Sequence, residues 1–186
     1  MYTQQYYAVP RLRNNKLMCT LQRLWIEHVL WTRAFLVGTA FNNADLKETT
    51  NRLLRNPTDF ANVLRPLYRS GPARKFEELL KEHLLTAAQL VNAAKMGDSQ
   101  TAALQRNKWY ANADSIAAFL GSINPYWSAD TWRALLDDHL EMTENEATQI
   151  LKGQYEASIA QYDEIQAQAL MMAKEMAKGI ARQFGE

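Results

Sequence analysis

From Lys16 to Phe184 apolar residues recur at steps of three and four, the spacing that lays one stripe along one side of an α-helix. Leu17, Leu21, Leu24, His28, Trp31 and Phe35 predict a long helix over about 16–42, with Asn42-Asn43 as its stop. Phe76, Leu80, His83, Ala87, Leu90 and Ala94 predict a second over about 73–96, closed by Gly97-Asp98-Ser99. Leu104, Trp109, Ala113, Ile116 and Leu120 predict a third over about 100–122. Tyr155, Ile159, Ile165, Ala169, Met172 and Met176 predict a fourth over about 154–184, with Gly153 as a pause before it.

Shorter helices fill the intervals. One is expected over about 44–54. Asn56-Pro57, an N-cap residue followed by proline at the first helical position, starts another that runs to Gly71-Pro72. Asn124-Pro125 breaks the chain again, because the residue before proline is pushed out of helical geometry. Ser128 then caps a short helix that carries Trp132, Leu136 and His139, and Thr143-Glu-Asn-Glu146 has the form of a capping box that starts a further helix.

No strand-type alternation and no internal repeat is evident. The pattern predicts an all-α protein with a four-helix bundle core, ferritin-like or similar in its up-down packing, and short connecting helices. Residues 1–15, rich in Tyr and Gln and broken by Pro10, read as a polar arm, and 16–186 as a single helical-bundle domain.

Composition agrees. Only 7 Gly and 5 Pro interrupt 186 residues, which favours helix, and the chain is long enough to bury a continuous core. A net charge of +1 argues against nucleic acid as a partner. Charge is polarised, with 12 Lys and Arg against 6 Asp and Glu over residues 1–80, and 9 against 14 over 81–186, which could orient a homo-oligomer. Nothing approaches 18 uninterrupted apolar residues, so no membrane span is expected, and the first residues lack a secretory pattern; the cytoplasm is the expected compartment. Cys19, the single cysteine, reads as a buried structural thiol.

Common catalytic signatures are missing. There is no phosphate-binding glycine loop, no zinc-type cysteine pair, and no Glu three residues before any histidine as in di-iron bundles. The three histidines are the exception. His28, His83 and His139 all fall on apolar stripes, and imidazole is usually only partly buried. His28 and His83 lie near the midpoints of their helices, so parallel packing would bring them to one height. Asn112 and Asp114 share that height on the third long helix, and Asp163, Gln166 and Gln168 on the fourth. Imidazoles and a carboxylate at one level are how metal sites are built in bundles. The candidate ligands are therefore His28, His83, His139, Asp114 and Asp163, for one or two ions of zinc, iron, manganese or copper, among which the set does not choose. Glu27, Glu82 and Asp138 each precede a histidine, but helix neighbours point about 100° apart, which assigns these acids to the rim.

The segments Leu24-Trp25-Ile26-Glu27-His28 with Trp31-Thr32-Arg33, Trp109-Tyr110-Ala111-Asn112-Ala113-Asp114 and Asn124-Pro125-Tyr126-Trp127 together resemble a family of small, poorly characterised all-helical bacterial proteins. The resemblance covers most of the chain from about residue 20. It implies a shared fold and a polar cluster at the bundle centre, and no established reaction comes with it. In that family the segment after Tyr-Asp carries histidine where this chain has Gln166 and Gln168, so a metal-binding relative would have a ligand that is missing here.

Two principal readings follow. In one, a His/carboxylate pocket binds a transition metal, with enzymatic activity left open. In the other, the protein is a non-enzymatic structural or interaction module whose histidines are core residues bonded to neighbouring polar groups. A third is a bundle that encloses a small apolar ligand among its Met, Trp and Tyr residues.

Overall fold

The computed structural model describes the backbone of residues 9–185 and the side chains of 15–185. Six helices account for nearly all of it: α1 (Val9–Phe41), α2 (Leu46–Tyr68), α3 (Ser70–Met96), α4 (Ser99–Ile123), α5 (Ala129–Leu151) and α6 (Tyr155–Phe184). The all-α expectation holds. The division into four long helices and several short ones does not, since every helix has 23 residues or more.

Two sequence signals account for the difference. α2 runs through Asn56-Pro57 without a break and also contains Pro66. Each proline removes one backbone hydrogen bond, but the stripe Leu53, Phe60, Ala61 and Leu64 is fully buried and holds the helix together. α5 likewise runs through Thr143–Glu146. Thr143 is no N-cap: its hydroxyl donates to the His139 carbonyl at 2.8 Å, within the same helix. The break between α2 and α3 comes at Arg69 (φ 67°), so that Gly71-Pro72, expected to stop the helix, lie in the first turn of α3, where proline's missing N–H costs nothing. The remaining boundaries fall close to expectation. Asn42 takes the left-handed conformation (φ 54°) after α1, Gly97 does so after α3 (φ 74°), and the Asp98 and Ser128 side chains cap α4 and α5. Of the expected polar arm 1–15, residues 1–8 lie outside the described residues and Val9 onward belongs to α1.

Connections of one to five residues make successive helices antiparallel neighbours. Each helix packs on the next, and α6 returns to α1, so the six close into a ring. α1 also reaches α3 and α5 across the centre, which places the odd-numbered helices inside. Two apolar clusters fill the ring. The larger holds Leu21, Leu24, Phe60, Phe76, Trp132 and Met172. The smaller holds Phe35, Leu36, Leu53, Leu84, Val91 and Ile150, toward the C-terminal ends of the inner helices.

The predicted stripes hold through the middle of each helix and fail at the ends. Ile165, Ala169, Met172, Met176 and Ile180 are buried along α6, whereas Tyr155 and Ile159 are exposed, as is Leu104 on α4. Cys19 is exposed as well, not a buried thiol, because it lies two residues, about 200° of helix, from buried Leu21.

At the far end, Asn124 is wholly buried. Its amide donates to the Tyr68 hydroxyl at 2.8 Å, and its Oδ1 accepts from the Tyr126 amide at 2.8 Å. Tyr68 in turn donates to Gln183 at 2.9 Å. This latch seats Trp127 directly against Gly179 of α6, where a Cβ would overlap the indole ring. Gly179→Ala should therefore lower the unfolding free energy by about 2 kcal/mol or more, as overpacking against a rigid core side chain does. Urea unfolding followed by circular dichroism measures this; an unchanged midpoint would mean that Trp127 is not held there.

Candidate functional site

The three histidines meet at the centre of the ring. Each comes from an inner helix: His28 from α1, His83 from α3 and His139 from α5. Each is 3% exposed. The His28 and His139 ring centroids are 5.8 Å apart, and the three imidazoles lie close enough that protonating one opposes protonation of its neighbours.

Each ring has the same partner arrangement. His28 Nδ1 lies 3.1 Å from Asn56 Oδ1, His83 Nδ1 2.9 Å from Asn112 Oδ1, and His139 Nδ1 3.3 Å from Gln168 Oε1. The amide nitrogens of the same residues donate to Leu24 O at 3.0 Å, Leu79 O at 3.2 Å and Leu135 O at 2.6 Å. Leu24, Leu79 and Leu135 each stand four residues before the histidine concerned.

The polarity of this relay fixes the tautomer. A backbone carbonyl only accepts, so the amide NH2 must face it and the amide oxygen must face the ring. The ring therefore donates from Nδ1–H, and its lone pair sits on Nε2, on the side of the ring away from the amide. Among the described residues, no hydrogen bond is made through Nε2 of the three rings.

The relay recurs with the chain. His28, His83 and His139 are spaced 55 and 56 residues apart, and each amide follows its histidine by 28 or 29 residues on the next helix. Each helical hairpin thus supplies one histidine and one amide, and three hairpins make the ring. The result is an internal threefold repeat, although no repeat is evident from the apolar pattern of the sequence. Its signal is short: Leu24-Trp25-Ile26-Glu27-His28, Leu79-Leu80-Lys81-Glu82-His83 and Leu135-Leu136-Asp137-Asp138-His139 share the form Leu-x-x-acid-His.

The expected carboxylates are not part of the cluster. Asp114 is exposed and accepts from Arg133 Nε at 2.8 Å. It stands two residues beyond inward-facing Asn112, about 200° around α4, and so faces outward. Asp163 is exposed on α6, two residues before buried Ile165, for the same reason. Among the expected residues, then, the structure gathers the histidines and leaves both acids on the surface. Glu82 and Asp138 are exposed, and Glu27 pairs at the rim with Arg23 and Arg52, both at 2.9 Å. Among the described residues no group of three or more His, Cys, Asp or Glu side chains is placed to hold a metal ion as it stands.

Asn56, Asn112 and Gln168, and not the acids, are the partners of the three rings. Asn112 and Gln168 had been placed at the right height; Asn56 had been read as a helix cap. One acid of the inner helices is buried. Glu146 on α5 is 1% exposed and pairs with Arg33 of α1, which also donates to Ser158 O at 3.0 Å and lies over the Tyr162 ring. Burial raises the Glu146 carboxyl, and the Arg33 guanidinium opposes that shift.

One turn beyond the histidines, between the C-terminal halves of the inner helices, lies a cavity of about 330 Å³. Thr32, Ala87 and Thr143 line it, each four residues after one of the histidines. These three residues put the near end of the cavity about 6 Å along the inner helices from the histidines.

The chain matches no protein-family model, no curated protein and no solved structure. No described helix is long and apolar enough to cross a membrane.

Burial pushes the imidazoles down, to about 4 for His28 and about 3 for His83 and His139; neighbouring rings add to this for His83 and His139, and the amide acceptors oppose it for all three. A base whose folded value lies below its unfolded value of about 6.5 takes up its proton on unfolding. Stability from the cluster is thus complete above about pH 6.5 and is lost as the pH falls toward 4 for His28 and toward 3 for His83 and His139. Three protons correspond to a slope of about 4 kcal/mol per pH unit between about pH 6 and 4.5. Urea unfolding at a series of pH values should give this slope, and His139→Gln should reduce it by about one third. Stability independent of pH across that window would mean that the rings are not buried and neutral.

Proposed function

We propose that the protein binds one divalent transition-metal ion at the centre of the ring, through Nε2 of His28, His83 and His139. One observation carries this reading: all three imidazoles are buried, and each faces an amide oxygen with Nδ1, which fixes the Nδ1–H form. Metal-bound histidines are oriented in this way, with the remote N–H donated to a fixed acceptor while the other nitrogen keeps its lone pair for the ion. Rings that share an ion at about 2.0–2.1 Å have centroids roughly 5–5.5 Å apart, a few tenths of an ångström less than the 5.8 Å between His28 and His139. Drawing His83 onto the same ion is the adjustment this reading requires.

With Asp114 and Asp163 on the surface, the ligand set is imidazole alone. Imidazole suits zinc, copper and iron, whereas manganese favours oxygen ligands and drops out of the expected list. A three-histidine site with a fourth position open toward the cavity would let a bound ion act on a molecule held there.

The alternative is a structural role, in which the three relays form a buried polar layer that fixes the register of the hairpins. It is favoured by the saturation of every Nδ1 and by the absence of a ready metal-holding group among the described residues. Elemental analysis of untagged protein separates the two. About one equivalent of zinc, copper or iron per chain, lost in His83→Ala with helicity intact, is the expected result. A wild-type protein that stays metal-free after incubation with each ion would establish the structural role.

A further inference from the structure

We propose that the slot between the C-terminal halves of α3 and α5 binds one single-chain amphiphile, a linear alkyl chain of medium length with an uncharged, hydroxyl-type head. The inference concerns this slot alone and does not depend on a metal.

The slot exists because two inner helices stand apart. α3 packs mainly on α2 and α4, and α5 on α4 and α6, and the two do not pack closely on each other. Small side chains line the gap, Ala87, Ala88 and Ala94 from α3 and Ala147 from α5. The lining then changes with depth. Phe35, Leu36, Leu53, Leu84 and Val91 are buried, whereas Asn145, Thr148 and Leu151 of α5 and Ala94 of α3 are exposed and mark an open side. A wall that is apolar within and carries polar groups at its opening is matched by a molecule built in the same way.

Dimensions select the chain. Along α5 the lining runs from Thr143 to Leu151, about 12 Å of helix, the extended length of an alkyl chain of about nine carbons. Spread over that length, 330 Å³ leaves a cross-section of about 30 Å², enough for one chain and too narrow for a partner helix, which is about 10 Å across with its side chains. Charge selects the head. Glu144 is the one charged residue of the lining, and its carboxylate already accepts from Arg106 Nε at 2.7 Å and from the Tyr110 hydroxyl at 3.1 Å. Asn145 and Thr148, three residues apart, are neighbours on one face of α5. Each both donates and accepts, which suits a hydroxyl. A carboxylate head would instead stand beside Glu144.

A series of 1-alkanols tests the proposal by titration calorimetry on the full chain, as purified and after chelator treatment. One molecule should bind per chain, with affinity rising about fourfold per added methylene, the worth of burying each CH₂, and levelling off near nine or ten carbons, where the slot is full. Decanoate at pH 8 should bind more weakly than 1-decanol. Ala88→Phe, which fills the slot, should abolish binding with helicity intact by circular dichroism, and the smaller Ala88→Leu should bring the levelling-off to a shorter chain. Asn145→Ala with Thr148→Val should weaken 1-octanol about fivefold, the worth of one hydrogen bond, and leave the increment per methylene unchanged. No binding by the wild-type protein, several molecules per chain, or affinity that climbs past twelve carbons without levelling, as partition onto exposed apolar surface would give, each overturns the proposal. Decanoate binding as tightly as 1-decanol, or a folded Ala88→Phe that binds like the wild type, overturns it as well.

Discussion

The structure depends on a three-part hydrogen-bond relay, imidazole to amide to backbone carbonyl, made three times at the centre of the ring. Each relay ties two helices of a hairpin together at a defined height, because its carbonyl lies one turn before the histidine that it serves. The relay has no slack. Moving the second helix by one residue would swing the amide about 100° away and leave a buried ring N–H, an amide and a carbonyl lone pair unmet. A made hydrogen bond contributes about 1 kcal/mol net, whereas a buried group left unpaired costs about 1–3 kcal/mol. The penalty for misalignment therefore exceeds the gain from alignment, and this asymmetry is what sets the register of each hairpin.

The same layer divides the interior. On one side lie large side chains in close contact, with Trp25, Phe60 and Phe76 edge-to-face and Trp127 against Trp132. On the other the apolar cluster is smaller and surrounds the cavity. Beside this looser half the buried Glu146 pairs with half-buried Arg33, which links α1 to α5 and, through Ser158, to α6. Such a pair adds little net stability over apolar packing, but removing Arg33 would leave the buried Glu146 without its partner. Its effect is to hold the inner helices in place where close packing does not.

The sequence carried the apolar stripes and the histidines plainly, because both follow helical periodicity. It concealed the number of helices, and the reason lies in particular residues. Asn56 before Pro57 and Thr143 before Glu146 have the form of helix starts, yet both pairs sit inside helices. Asn56 is turned inward to His28, Thr143 bonds back to its own helix, and Glu146 reaches Arg33. Short polar side chains favour caps because they can satisfy local backbone groups. When the same side chains are recruited by a distant partner, the local signal remains in the sequence and points to the wrong structure. The carboxylates failed differently. Asp114 and Asp163 stand at the right height on their helices but on the outer face, and height alone does not place a ligand.

The repeat escaped notice because only its hydrogen-bonding chemistry is retained. Asn, Asn and Gln at the three amide positions share a function and not an identity, and the surrounding core varies from Phe60 to Ile116 to Met172 at the equivalent place, four residues on. An amide suits this position better than an acid. It can donate to a carbonyl and accept from an imidazole at once, whereas an ionised carboxylate only accepts and would be repelled by the carbonyl. A carboxylate would also favour a charged imidazole, and three charged rings around one centre would repel one another. Amide partners instead keep all three rings neutral, which is the state in which they can share a closed, apolar interior with one another. The choice of amide over acid is thus what allows three histidines to converge at the core of a helical ring.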